Sequence, residues 1–199
     1  MGVPSHHGNN GFIARYPIFA SLTSKTCFME QQKPTTGKFS LQFGVLAGLA
    51  GTAFSIMLYT MGMAYEQSPA QSGISIAILF GIIFYGIYTF KGQNEGYLTL
   101  KEALKIGSGA GLVAALVSVV YLLVLTNVID PTFWDKAFEL GREQMIEQNP
   151  SMSDEQLDQI VAMQKNFAWV TYPTLLVMNT IMGLIIGLVS GLILKKNRD

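Results

Sequence analysis

The residue types able to do acid–base or metal chemistry are few, and most of them lie in one region. Asp135, Glu139, Glu143 and Glu147 recur every four positions in PTFWDKAFELGREQMIEQ, and side chains four apart share one face of a helix. Such a row can gather a divalent cation, but it is first of all the pattern of a solvated helical face. His6 and His7 stand in a polar N-terminal stretch far from any apolar segment. Cys27 is the sole cysteine, which permits no internal disulfide and sits in no metal-ligand cluster. A hydrolase needs a nucleophile and a base within hydrogen-bond reach, and the sequence holds no HExxH, CxxC or GxSxG pattern. GSGAG at 107–111 follows no strand, so it is not a phosphate-binding loop. The sequence therefore predicts no catalytic residue, no cofactor and no metal.

The elements that would carry any chemistry are membrane spans. Of 199 residues 50% are hydrophobic and 13% charged, about half the charge of an ordinary soluble domain. The charges are also segregated. None occurs between Lys38 and Glu66, Glu66 and Lys91, Lys105 and Asp130, or Lys165 and Lys195. A helix needs roughly 20 apolar residues to cross hydrocarbon, and each stretch is long enough. A soluble bundle would need charged outer faces, and these stretches have none. The sequence predicts an all-α integral membrane protein with four spans, at about 41–64, 73–90, 106–129 and 167–194. A polar tail, disordered and cytoplasmic, is expected over 1–40, with Met29 as an alternative start.

Residues 131–165 are the one sizeable polar segment between spans. Asp130 and Pro131 have the chemistry of a helix start, and Ser153 with Gln156 forms a capping box. The segment reads as a helical hairpin outside the bilayer. Thr99 and Glu102 make a second capping box before the third span, and Pro173 is expected to kink the fourth near its start. Within the hairpin, Phe133, Trp134 and Phe138 form an apolar cluster, suited to a partner surface or to lying on the membrane.

Glycine supplies the packing signal. Gly183, Gly187 and Gly191 are spaced four apart in the last span, and Gly44, Gly48 and Gly51 repeat the pattern in the first. Gly107 and Gly111 open the third. In a soluble helix each would cost ~1 kcal/mol relative to alanine; in a bilayer they let helix backbones approach. Asn179, mid-span, is expected to hydrogen-bond between helices. Intramembrane ionisable residues usually mark ion or proton pathways, and the four spans carry none.

Lysine and arginine flank the spans unequally, which sets orientation. Lys33, Lys38, Lys91, Lys101, Lys105, Lys195, Lys196 and Arg198 fall on one side, and only Lys136, Arg142 and Lys165 on the other. Both termini are thus expected in the cytoplasm and the hairpin outside. Tyr59, Tyr65, Trp134, Phe167 and Trp169 would anchor the outer interface, and Tyr88, Phe90 and Tyr97 the inner one.

Three stretches, GYLTLKEALKIGSGAG, IDPTFWDKAFE and GLIIGLVSGLILKK, together resemble a family of small four-span bacterial inner-membrane proteins catalogued as a domain of unknown function. The resemblance covers about 38–196. It implies a bacterial cytoplasmic membrane and a four-helix membrane domain, and carries over no functional residue. The expected partners are the lipid bilayer and a second copy or another membrane protein; zero formal net charge gives no basis for nucleic acid. The function expected is that of a non-enzymatic structural or accessory subunit. The alternative is a small transporter or channel protomer with a pore lined by Asn179, serines and threonines.

Overall fold

In hydrocarbon every backbone polar group must be satisfied within the chain, and the long apolar runs meet that demand as uninterrupted helices. The computed structural model describes residues 34–65 and 68–197. The expectations for His6, His7, Cys27, Met29, Lys33 and Arg198 lie outside the described residues. In chain order the helices are α1 (Thr36–Thr60), α2 (Pro69–Gln93), α3 (Leu100–Val124), α4 (Phe133–Gln148), α5 (Asp154–Asn166) and α6 (Thr171–Leu194). A π-helical turn, Leu125–Ile129, extends α3, and a 3-10 turn, Ala168–Val170, leads into α6. The helices α1, α2, α3 and α6, with those two turns, are long and apolar enough to cross a membrane. At ~1.5 Å per residue, the 25 residues of α1 reach about 37 Å. Helices α4 and α5 form the polar hairpin between the last two spans.

Short polar side chains set the ends. The Ser68 side chain accepts from the amide of Ala70, with Pro69 in the first turn of α2. Thr99 and Glu102 complete a reciprocal capping box before α3, and Ser153 and Gln156 another before α5. Two boundaries differ from the sequence expectation. The first helix begins at Thr36, inside the stretch expected to be a tail, because Phe39 and Ser40 are buried against other spans. Helix α4 begins at Phe133, after a turn over Pro131 and Thr132, and the Asp130 carboxylate accepts from the amide and hydroxyl of Thr132. Pro173 falls in the first turn of α6, where its missing N–H has no intrahelical partner to lose.

Helix α3 is the spine, packed most extensively against α6 on one side and α1 on the other. Its contact with α6 is backbone on backbone. A Cβ on Gly107 would strike the Gly183 carbonyl oxygen and lie 2.7 Å from the Cα of Gly187. One on Gly111 would strike the carbonyl of Asn179, and one on Gly183 the carbonyl of Gly107. On the opposite side Gly44 and Gly48 receive Val113 and Val117. A hydroxyl reinforces this contact: Ser40 Oγ donates toward Thr36 in its own helix, at 3.0 Å, and toward the Lys105 carbonyl of α3, at 3.2 Å. Gly86 of α2 accommodates the ring of Phe43. Phe90, expected at the interface, is instead buried in the core with its ring edge-on to Phe39.

Apart from Leu125 and Thr126 of the π-turn, burial within the four spans gathers toward one end. The buried residues of α1 run from Phe39 to Gly48, of α2 from Ile83 to Phe90, of α3 from Ala103 to Ala115, and of α6 from Gly183 to Gly191. All lie in the halves nearest Lys38, Lys91, Lys101 and Lys195. A two-residue antiparallel bridge closes this end, with the Leu98 amide on the Lys196 carbonyl at 2.9 Å and the reverse bond at 3.0 Å.

The glycine contacts make a graded prediction. Gly187→Leu drives a side chain into the Ala103 carbonyl and Leu104 backbone, and should cost at least the ~1–3 kcal/mol typical of overpacking. Leu188→Ile, at a partly exposed neighbour, should shift the melting temperature in detergent only slightly. Equal melting of the two variants would show that the α3–α6 contact is not tight.

Candidate functional site

At the hairpin end the facing residues enlarge and the spans no longer close on one another. Beyond Gly111 on α3 come Ser118, Tyr121 and Leu122; before Gly183 on α6 come Leu175, Met178 and Asn179. Between them the four spans line a half-open cavity of about 400 Å³, within the range of small-molecule sites. The Phe133 ring of α4 and Leu125 of the π-turn also line it. Its wall on α1 is made of small side chains, Ala47, Gly48, Gly51 and Thr52.

The polar side chains of this wall are neutral, and three of the six are already occupied. Ser118 Oγ donates to the Ala114 carbonyl at 3.0 Å, Ser75 Oγ to Gln71 at 2.9 Å, and Asn179 Nδ2 to Leu175 at 2.9 Å. Each bond stays within one helix. Thr52 differs: its hydroxyl oxygen is buried and has no hydrogen-bond partner among the described residues. No ionisable carboxylate, amine or imidazole lines the cavity.

Above the cavity a polar cluster fastens the hairpin to the connection between α1 and α2. Asp130, only 5% exposed, is its hub. One carboxylate oxygen accepts from the amide of Thr132 at 3.1 Å and from its hydroxyl at 2.6 Å. The other accepts from the Tyr65 hydroxyl at 2.6 Å and from Lys136 Nζ at 3.1 Å. Donation by Thr132 and Tyr65, with the nearby ammonium, holds the Asp130 carboxyl well below the usual carboxylate range. The same pairing raises the pKa of Lys136, and accepting Asp130 raises that of the Tyr65 phenol. The Tyr65 ring meets Phe133, with centroids 5.4 Å apart, so the latch also places the residue that roofs the cavity. A π-turn directly before this cluster is a feature often found at functional sites.

The residues singled out by sequence divide into three groups. Gly44, Gly48, Gly107, Gly111, Gly183, Gly187 and Gly191 all face other helices of the same chain, so these surfaces are occupied internally. Gly51 does not pack: a Cβ there would meet nothing within 4 Å, because its side faces the cavity. Asn179 does not bond across helices with its side chain, which turns back on Leu175; its backbone carbonyl is what α3 approaches. Phe133, Trp134 and Phe138 form a continuous row, Phe133 edge-on to Trp134 at 5.5 Å and Trp134 stacked on Phe138 at 5.7 Å. Asp135, Glu139, Glu143 and Glu147 are exposed, and among the described residues no group of three metal-ligating side chains gathers. Two contributors went unread in the sequence. Ser40 was assigned to the tail, and Thr52 carries no local signal that separates it from other intramembrane hydroxyls.

Four spans, a helical cap and an uncharged chamber define a small multi-pass helical membrane protein. Residues 42–196 match the family described as Protein of unknown function (DUF4199), and the chain belongs to that family. No curated protein and no solved structure matches it.

The latch predicts a definite pH response. A carboxylate whose folded pKa is depressed stabilises the fold fully above its unfolded value, ~3.9, and loses that contribution as the pH falls below it. Lys136 and Tyr65, whose folded values are raised from 10.5 and 10.0, lose theirs as the pH rises past those values. The melting temperature in detergent should therefore hold through neutral pH and fall at both extremes. Asp130→Asn should lower it at neutral pH and flatten the acid side. An unchanged acid limb in that variant would remove Asp130 from the account.

Proposed function

We propose that this chain is a non-enzymatic structural or accessory subunit in a bacterial cytoplasmic membrane, with both termini cytoplasmic and the α4–α5 hairpin outside. One observation carries the reading: the apolar stretches 41–64, 73–90, 106–129 and 167–194 hold no Asp, Glu, Lys, Arg or His, so the membrane interior offers neither an acid–base pair nor an ion relay. The excess of Lys and Arg at the packed end supports the orientation.

The hairpin is the surface we assign to a partner. The glycine faces are spent inside the chain, which leaves the polar segment as the element with recognition chemistry to spare. Arg142 pairs with Asp154 at 2.9 Å and Asp158 at 3.2 Å, and Lys165 with Asp135 at 2.8 Å. These exposed pairs add little stability one by one, but they set α4 and α5 side by side. Glu139, Glu143 and Glu147 remain as an acidic, solvent-facing row, suited to a basic surface. The alternative, a small transporter or channel protomer, draws support from the chamber; against it stands the closely packed end beneath.

Cysteine labelling in intact cells tests the orientation. In a Cys27→Ser background, an impermeant maleimide should modify Ser151→Cys and leave Gln93→Cys untouched, and the reverse pattern would invert the topology. Replacing 135–163 by a short Gly-Ser linker should leave insertion intact and abolish outer-side association, read as mass in mild detergent. Retention of every associated protein would reduce the hairpin to a connector.

A further inference from the structure

We infer that the chamber holds a hydrocarbon chain of a bilayer phospholipid, taken from the hairpin-side leaflet through a window between α2 and α6. The opening, the depth and the lining each lead there, whichever face of the membrane the hairpin occupies.

The opening is on one side. Every lining residue on α1, from Ala47 to Leu58, and on α3, from Ala114 to Leu122, is buried or half-buried. On α2 and α6 the lining reaches the surface: Ser75 is exposed, Ile76 is 46% exposed and Met178 54%. Ile76 and Met178 each stand seven residues from the hairpin ends of their helices, at Pro69 and Thr171, ~10 Å along the axis at ~1.5 Å per residue. They are therefore about level. The two helices bury residues only farther on, from Ile83 and from Gly183, so at Ile76 and Met178 a gap is left between them. That gap faces the hydrocarbon of the bilayer.

The floor lies a leaflet's depth below the hairpin. Leu79 is ten residues beyond Pro69 and Met182 eleven beyond Thr171, ~15 Å from the hairpin end, which is half of a ~30 Å hydrocarbon layer. A chamber running from the interface to the midplane has the length of one leaflet's chain. Its volume agrees. An apolar cavity of ~150 Å³ takes the six carbons of benzene, so about 400 Å³ takes roughly sixteen in that proportion. Gly51 helps to keep this space, with nothing within 4 Å of where its Cβ would stand.

The lining favours a hydrocarbon chain over other occupants. No carboxylate, amine or imidazole lines the chamber, so a buried ion would go uncompensated and a charged headgroup stays at the interface. Water needs two to four polar partners, and the side chains around the floor, Ala47, Leu79, Ala114 and Met182, offer none. The hydroxyls of Ser55 and Tyr121 stand nearer the hairpin on the same two helices, α1 and α3, toward the polar end of a lipid held in this way. An apolar void forfeits dispersion contacts along its walls. A chain arriving from hydrocarbon restores them without leaving water.

Photolabelling tests this on the full chain in phosphatidylcholine nanodiscs, with a trace of the same lipid carrying a diazirine on one acyl chain. Illumination should label interior residues, among them Ala47 and Ala114, each 3% exposed and out of reach of lipid outside the bundle. A diazirine near the chain's tip should favour this floor, and one near the ester should favour Ser75 and Leu175. Gly51→Leu should lose the interior labels, keep those on the lipid-facing Ile74 and Val177, and melt at or above the parent temperature, which separates a filled chamber from a misfolded protein. The position scan on the parent decides the matter even where that variant fails to fold. Labels confined to lipid-facing residues in the parent would overturn the assignment. So would interior labels that ignore the diazirine's position, a well-folded Gly51→Leu protein labelled like the parent, or interior labelling by a diazirine fatty acid with none by the phospholipid.

Discussion

The architecture depends on the approach of two backbones, α3 and α6, at Gly107, Gly111, Gly183 and Gly187. Lipid tails are as apolar as leucine, so helices in a bilayer gain little from merely hiding side chains, and association falls to van der Waals packing and short polar contacts. Glycine makes such packing possible by removing the Cβ from the interface. At these four positions an added methyl would meet carbonyl oxygens or Cα atoms rather than yielding side chains. That is why the contact is closed to substitution in a way a leucine-rich seam is not.

The same constraint accounts for the asymmetry of the bundle. Glycine lies at the basic end of each contacting helix, and larger residues such as Tyr121, Leu122 and Met178 face one another toward the hairpin. Close approach at one end and bulk at the other leave the second half open. The result is a packed base of Phe39, Phe43, Ile83, Ile87, Phe90 and Ile106 beneath a chamber of about 400 Å³. A chain that needed only to span the membrane would have no reason to keep Gly51 facing that space.

The hairpin is tied down where the spans are loosest. Asp130 joins Tyr65, Thr132 and Lys136, and the aromatic row from Tyr65 through Phe138 meets the chamber at Phe133. A buried carboxylate is tolerable there because both of its oxygens are matched by donors and a cation. The three stretches that carry the family resemblance coincide with these contacts. One holds Leu98, Gly107 and Gly111, another Asp130 to Phe138, and the last Gly183 to Lys196.

Hydropathy and charge spacing alone determined the membrane class, the four spans, the capping boxes at Thr99 and Ser153, and the polar hairpin. Each is local: twenty uncharged apolar residues can be satisfied only by a lipid-crossing helix, and a Ser or Thr three residues before Glu or Gln reads as a helix start. Which glycine meets which backbone was beyond that reach. A spacing of four marks a face but not its neighbour, so Gly48 and Gly51 looked alike until the fold set one against Val117 and the other against empty space. The start of α1, the inward turn of Asn179 on its own helix and the role of Asp130 as a hub were likewise decided by tertiary contacts. The chamber was too, because a cavity is a property of how four helices diverge, and a single sequence records only what each of them is made of.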